Sequence, residues 1–121
     1  MPKSDTVEAF AALVEAGDYT GAIEQFYAPE ASTWENNGAQ VSGRDAALTK
    51  ERGVMASFTK IEASRLGPPL IGGDHVALRW RFAFTSADGR VRQMEEIAWQ
   101  TWRGEQVIEE RFFYDPKQMA G

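Results

Sequence analysis

Two adjacent segments decide the fold of this chain: Phe26–Asn36, FYAPEASTWEN, and Gly43–Ala47, GRDAA. Pro29 ends a short helical pattern, and Ala31–Glu35 is predicted to be a short strand. A turn-rich loop follows, and helical character returns after it. A carboxylate at such a strand end, among aromatic residues, can acquire a raised pKa and act as a general base. Glu35 is therefore the first candidate catalytic residue.

The periodicity of apolar residues predicts the remaining elements. Helical spacing extends over Thr6–Ala16, a second short helix begins after Asp18, and a third covers Asp45–Phe58. From Lys60 the period changes to two, which predicts strands over residues 60–66, 75–85, 91–102 and 106–114. Helices followed by a run of strands predict an α+β fold, in which the helices cover one face of an antiparallel sheet. We expect a single domain over residues 1–121.

Composition excludes several classes of function. The net charge of −5 argues against a nucleic-acid partner. No apolar run approaches the roughly 20 residues of a membrane span, so we expect no membrane partner. The chain has no cysteine, which excludes disulfides and thiolate sites and fits a cytoplasmic location. Small molecules and proteins remain as partners.

The chain contains a single histidine, His75, at the start of a predicted strand. With no second histidine and no cysteine, a structural zinc site is not expected. A carboxylate-only site for a hard cation stays open. We expect no metal and no organic cofactor.

Five segments stand in a fixed order along the chain: Glu15–Asp18, Phe26–Ala31, Gly43–Ala46, Leu78–Trp80 and Val107–Asp115. Together they resemble SnoaL-like proteins of the nuclear transport factor 2-like (cystatin-like α+β) superfamily, from about Val7 to Pro116. The resemblance implies three N-terminal helices packed on a strongly curved antiparallel sheet, which forms a cone with an internal pocket. The superfamily includes polyketide cyclases, ketosteroid isomerases, epoxide hydrolases, dehydratases and non-catalytic binding domains, so the fold leaves the activity open.

The resemblance assigns the ketosteroid isomerase roles to three positions here. The general-base aspartate falls on Glu35, but the oxyanion-hole tyrosine falls on Phe10 and the protonated aspartic acid on Ala98. Losing one such donor typically costs about 100- to 1000-fold in rate, so steroid isomerisation is not expected. The final-strand aspartate of the epoxide hydrolases falls on Phe112, which also disfavours that activity.

The resemblance also implies which side chains face the pocket. On the last three strands these are Trp80, Met94, Glu96, Ala98, Gln100, Trp102, Glu110, Phe112 and Tyr114. Glu96 and Glu110 could meet across neighbouring strands and raise one pKa by repulsion. The alternative is a polar pocket rim or a one-residue slip, which would reverse every side chain.

Aromatic residues could form a wall around a flat apolar ligand, or they could simply pack the core. They are Trp34, Trp80, Trp102, Phe112 and Tyr114. The opposite face mixes charged residues (Arg79, Arg81, Glu95, Glu109 and Arg111) with apolar ones (Ile97, Trp99 and Phe113). Such a face suits a homodimer interface.

Two functions follow from these observations. The leading hypothesis is a small-molecule enzyme of the isomerase, cyclase or dehydratase type, acting on an apolar or polyketide-like substrate. Glu35 would be the base, with Glu96, Gln100, Glu110 or Tyr114 as second polar groups. The alternative is a non-catalytic ligand-binding or dimeric interaction module. Glu35 and Glu110 lining one closed cavity within about 10 Å, with perturbed pKa values, would favour the enzyme.

Overall fold

The computed structural model describes residues 1–120, which form three α-helices and seven strands. The elements are α1 (Ser4–Glu15), α2 (Tyr19–Phe26), β1 (Tyr27–Glu35), β2 (Val41–Ser42), α3 (Arg44–Ala56), β3 (Lys60–Arg65), β4 (Leu70–Gly72), β5 (His75–Thr85), β6 (Val91–Arg103), β7 (Gln106–Phe113) and a final 3₁₀ helix (Pro116–Met119). The α+β class predicted from the sequence is confirmed. The short strands β2 and β4 were not predicted.

The strands form one mixed sheet in the order β2-β1-β7-β6-β5-β3, with β4 also paired to β5. The meander of β5, β6 and β7 is antiparallel as predicted, but β1 and β7 are parallel, so the sheet is mixed rather than antiparallel throughout. Hairpin turns force β5, β6 and β7 to alternate in direction. No such turn joins β1 to β7, since a helix and the whole meander separate them, so parallel pairing is allowed.

Strand β1 starts earlier than the sequence predicts. It begins at Tyr27, directly after α2, and passes through Pro29. Proline cannot donate a ladder hydrogen bond, so within sheets it is confined to places where pairing is interrupted. The register of β1 against β7 shifts between Tyr27 and Ser32, and Pro29 lies inside that irregular stretch.

The core lies between the helices and the inner face of the sheet. On β5 and β6 the even-numbered side chains turn inward, which confirms the predicted faces of these two strands: Val76, Leu78, Trp80, Phe84, Met94, Glu96, Ala98, Gln100 and Trp102 are all buried. Helix α1 covers them with Val7, Phe10, Ala11 and Val14. In the described part of the chain, no helix has the length and apolarity needed to cross a membrane.

Candidate active site

A cavity of about 170 Å³ lies between the helices and the inner face of the sheet. Most of its lining is apolar, contributed by all three helices and by β1, β3, β5, β6 and β7. The polar residues of the lining, apart from two tyrosines, are Thr33, Glu35, Lys50, Glu51, Glu96 and Glu110. An apolar cavity with a few convergent polar groups is the usual form of a small-molecule site.

Glu35 lies at the last residue of β1, with 40% of its side chain exposed. One carboxylate oxygen forms an ion pair with Lys50 of α3, and the other accepts a hydrogen bond from the Tyr114 hydroxyl at 2.8 Å. Burial alone would raise the pKa of Glu35, but these two hydrogen bonds and the Lys50 charge outweigh it, so the pKa lies below its ordinary value. Glu35 is therefore ionised at neutral pH. The raised pKa that a carboxylate at such a strand end can acquire is not found for Glu35.

Asn36 positions Tyr114 beside Glu35. Its backbone adopts a left-handed conformation, with φ of 52°, which asparagine tolerates better than most residues. From there its N–H donates to the Phe112 carbonyl at 2.7 Å, and its side-chain oxygen accepts the Tyr114 backbone N–H at 2.9 Å. Burial and the contact with Glu35 raise the pKa of Tyr114 to about 12, so its hydroxyl stays a donor.

Glu96 lies on the inner face of β6 and is 9% exposed. Burial raises the pKa of Glu96 to about 8, and the nearby negative charges of Glu35 and Glu51 contribute to the increase. The pKa of Glu51 on α3 is also raised by burial, the largest cause; the charge of Lys50 opposes the increase, and the charge of Glu35 adds to it by a smaller amount. Glu96 is therefore a neutral carboxylic acid at neutral pH, close to an ionised one.

Glu110 on β7 is the most deeply buried acid of the site, with 2% exposed. Burial raises its pKa to about 8, so it too is neutral at neutral pH. Its Oε2 accepts a hydrogen bond from the Gln100 side-chain amide at 2.7 Å, and the Gln100 oxygen in turn accepts from the Trp102 indole at 2.9 Å.

The sequence suggested that Glu96 and Glu110 could meet across neighbouring strands. In the structure the two neutral acids do not face each other. Glu110 is paired with Gln100 across β6 and β7, and Glu96 lies four residues further along β6. Glu110 is instead close to Glu35, because their strands are parallel neighbours. Thr33 pairs with Glu110 and Glu35 with Phe112, which places the Cα atoms of Glu35 and Glu110 about 8 Å apart.

The other pocket residues proposed from the sequence separate into two groups. Phe10, Trp80 and Phe112 line the cavity. Ala98, Gln100 and Trp102 are fully buried but lie outside the lining. Tyr114 also lies outside the lining, although its hydroxyl reaches Glu35. Ala98, Gln100 and Trp102 lie outside the lining because Phe10 packs edge-on against Trp102, with ring centroids 6.2 Å apart, and fills the end of the cone where these residues lie.

Trp34 does not belong to an inner aromatic wall. It lies on the other side of β1 from Thr33 and Glu35, and the guanidinium of Arg111 stacks over its ring at 4.9 Å. His75 is also away from the cavity: its ring stacks on Trp99, with centroids 5.3 Å apart. Within residues 1–120, no three His, Cys, Asp or Glu side chains are grouped as a metal site requires.

Sequence reasoning missed Thr33, Lys50 and Glu51. Helix α3 contributes Ala47, Lys50, Glu51 and Val54 to the lining, a set at helical spacing that places all four on one face. The spacing was therefore visible in the sequence. Charged helix residues usually face solvent, and nothing in the sequence marked Lys50 as the partner of Glu35.

A scan against models of protein families matches the SnoaL-like domain over residues 7–110. The chain belongs to the SnoaL-like domain family. No curated protein matches the sequence. The family match confirms the fold and the family that the sequence resemblance indicated for this SnoaL-like protein.

Solved structures similar to this SnoaL-like protein carry the same fold. A candidate SnoaL-like polyketide cyclase from Mesorhizobium loti is 26% identical, with 91% of this chain and 97% of that chain covered and a TM-score of 0.77. A hypothetical protein with a ketosteroid isomerase-like fold from Catenulispora acidiphila, in complex with trimethylamine, is 17% identical, with coverage of 93% and 87% and a TM-score of 0.78. TerC, co-crystallised with polyporic acid, is 14% identical, with coverage of 95% and 92% and a TM-score of 0.80.

Proposed function

We propose that this SnoaL-like protein is an acid–base enzyme that moves a proton on a small, mostly apolar molecule, in an isomerase, cyclase or dehydratase reaction. One observation carries the proposal: a single cavity holds an ionised carboxylate, Glu35, and two neutral carboxylic acids, Glu96 and Glu110. Environments that push the pKa values of neighbouring acids apart are typical of general-acid and general-base assignments.

In the proposed reaction Glu35 removes a proton from a carbon next to a polarised group of the substrate. The electron pair left on carbon moves toward that group, where a neutral acid supplies a hydrogen bond or a proton. Glu35 then returns its proton to another atom of the substrate or to a departing hydroxyl group, which leaves as water, and a neutral acid that has given up its proton recovers it when the carbonyl group re-forms. Proton counts balance, so the residues named here suffice and the proposal includes no organic cofactor.

The comparisons support this proposal at the level of the family. The Mesorhizobium loti relative is a candidate polyketide cyclase, and TerC was crystallised with polyporic acid. The cavity favours a small substrate, since about 170 Å³ lies below the roughly 300–1,000 Å³ typical of drug-sized pockets. Its lining favours an uncharged one, because Lys50 already neutralises Glu35 and the two deeper acids are neutral.

A second candidate is a ligand-binding module without catalysis. The observation that favours it is the engagement of both Glu35 oxygens, by Lys50 and by Tyr114. Both contacts stabilise the ionised carboxylate and lower its pKa, which makes Glu35 a weaker base. We rank this candidate second because Lys50 is 40% exposed and so can turn away into solvent.

Hydrogen exchange in heavy water tests the enzyme directly. We expect the wild-type protein to catalyse exchange of the α-protons of acetophenone or cyclohexanone, followed by proton NMR. Glu35→Gln keeps the side-chain shape but has no basic oxygen, so the exchange rate should fall at least about 100-fold. Glu24→Gln, an exposed change outside the cavity, is the matched control and should leave the rate unchanged.

Two results would contradict the proposal. Unchanged exchange by Glu35→Gln would remove Glu35 as the base. Binding of these ketones by wild-type protein without any exchange would favour the ligand-binding module instead.

The proposal includes a homodimer formed through the outer face of the sheet. Ile97, Trp99 and Phe113 there are between 43% and 46% exposed, which is unusual for large apolar side chains on one face. Arg81 and Glu95 lie on the same face and pair at 2.9 Å, so two copies related by a twofold axis can exchange such pairs. A cytoplasmic location, which the absence of cysteine favours, also remains part of the proposal.

Trp99→Glu is expected to convert the dimer to a monomer, because it places a charge at the centre of the apolar patch. Light scattering coupled to size-exclusion chromatography measures the mass. Leu70→Glu changes an apolar residue of β4 that is even more exposed, and it should leave the mass of the dimer intact. A monomeric wild-type protein, or a Trp99→Glu protein that stays dimeric, would contradict this interface.

A further inference from the structure

Glu110 has one oxygen that no described residue binds. Its side chain is 2% exposed, and Oε1 has no hydrogen-bond partner among residues 1–120. Buried carboxyl oxygens are almost always bonded, so this exception requires an explanation. Glu110 lines the cavity, whereas Gln100, which binds Oε2, does not. Oε1 is therefore the polar atom that Glu110 can offer to a ligand.

The side chains behind Glu110 determine which of its oxygens carries the proton. The indole N–H of Trp102 can only donate, so the Gln100 atom that it meets at 2.9 Å is the amide oxygen. The Gln100 nitrogen then faces Glu110 and donates to Oε2 at 2.7 Å. The carbonyl oxygen of a carboxylic acid is a much stronger acceptor than its hydroxyl oxygen, so the bond from Gln100 favours Oε2 as the carbonyl oxygen and places the proton of a neutral Glu110 on Oε1.

The electrostatics of the cavity agree with this arrangement. Burial raises the pKa of Glu110 to about 8, so the acid carries its proton at neutral pH. The other titratable groups that face the cavity are Tyr19, Tyr27, Glu35, Lys50, Glu51 and Glu96. None of them is a hydrogen-bond partner of Glu110 in the described structure.

We propose that Glu110 donates a hydrogen bond from Oε1 to the carbonyl oxygen of a small, neutral, ketone-like ligand, and that Gln100 and Trp102 are positioning residues that keep the proton on the cavity side. The inference rests on the proposed function for the identity of the site and names its substrate class. A purely apolar ligand would leave Oε1 unpaired. A carboxylate ligand would bring a negative charge that Lys50, already paired with Glu35, cannot neutralise.

Paired probes test the donor. We expect wild-type protein to bind acetophenone about tenfold more tightly than ethylbenzene, which has a similar shape but no oxygen. Calorimetry measures the affinities, and infrared difference spectroscopy should show the carbonyl stretch of bound acetophenone at a lower frequency. Glu110→Met removes the donor and should abolish both effects. Glu110→Gln should retain them, because its amide nitrogen still has an N–H to direct into the cavity.

The pH dependence separates a proton donor from a merely structural residue. The carbonyl shift of wild-type protein should vanish as pH rises through about 8, because the ionised acid cannot donate. The shift in Glu110→Gln should not depend on pH, and the surface variant Glu24→Gln should retain the wild-type transition. Trp102→Phe frees Gln100 to turn its oxygen toward Glu110, which should weaken the shift. Circular dichroism checks that each variant is folded.

Equal affinity of wild-type protein for the two probes, including no binding of either, would overturn the inference. So would a Glu110→Gln variant that loses the shift as completely as Glu110→Met. If Glu110→Met still catalyses proton exchange and still shows the same carbonyl stretch of bound acetophenone as wild-type protein, the inference is wrong but the proposed function stands. A lowered stretch without proton exchange supports the inference and counts against the proposed function.

Discussion

Replacing Trp102 with alanine is expected to lower the free energy of unfolding by about 3–5 kcal/mol, the range for a buried aromatic truncated to alanine. Trp102 is 1% exposed and packs against Phe10 and Phe26, with ring centroids 6.2 and 6.4 Å away. The truncation leaves a cavity and removes the indole N–H from Gln100. Since small domains have only about 5–15 kcal/mol of stability, urea unfolding should show a large shift of the midpoint.

Two further variants divide this loss into its parts. Trp102→Phe keeps most of the packing but leaves the Gln100 oxygen without its donor, so its cost should be about 1–3 kcal/mol. Leu70→Ala truncates an apolar residue that is 67% exposed and should change stability by less than about 0.5 kcal/mol. A Trp102→Ala protein as stable as Leu70→Ala would show that the packing of Trp102 does not stabilise the fold.

The protein is expected to become more stable as pH falls from about 8 toward 5, the reverse of ordinary acid denaturation. Glu96 and Glu110 have pKa values of about 8 in the folded state and 4.5 as ordinary glutamates. Between these values the folded state holds two protons that the unfolded chain has released. Stability therefore decreases as pH rises, with a limiting slope of about 1.4 kcal/mol per pH unit for each acid.

Other groups of the cavity do not reverse this trend. The pKa of Glu51 is also raised, so it acts in the same direction. The pKa of Glu35 is lowered, so its stabilising contribution is lost only as pH falls below its ordinary value of 4.5. Urea unfolding measured at several pH values between about 5 and 8 tests the prediction.

The double variant Glu96→Gln/Glu110→Gln is the decisive comparison for the pH dependence. It has no ionisable group at either position, so most of the wild-type slope should disappear in this window, and only the contribution of Glu51 should remain. Glu24→Gln, a change on the surface, should retain the wild-type slope. A wild-type stability that stays flat or rises with pH would show that the two acids are ionised in the folded protein.

The alternation of residues in β5 separated its two faces, and the family resemblance indicated which faces of β5 and β6 point inward. A two-residue period over long strands gives one buried set, and a slip would expose Trp80 or Trp102, so the pattern has a single low-energy solution. Glu35 could be placed at a strand end for a similar local reason. Its pKa could not be predicted, because Lys50 and Tyr114 reach it from 15 and 79 residues away.

The sequence by itself determined the α+β class, the order of helices and strands and the family resemblance, because these depend on local periodicity and on the order of short segments. The resemblance in turn implied the inward faces of β5 and β6. Only the tertiary structure decided the parallel pairing of β1 with β7, the outward position of Trp34, the ionised state of Glu35 and the chain of hydrogen bonds from Trp102 through Gln100 to Glu110. Each of these depends on contacts between distant parts of the chain. Burial and partners, rather than residue type, then set the charge of every glutamate in the cavity.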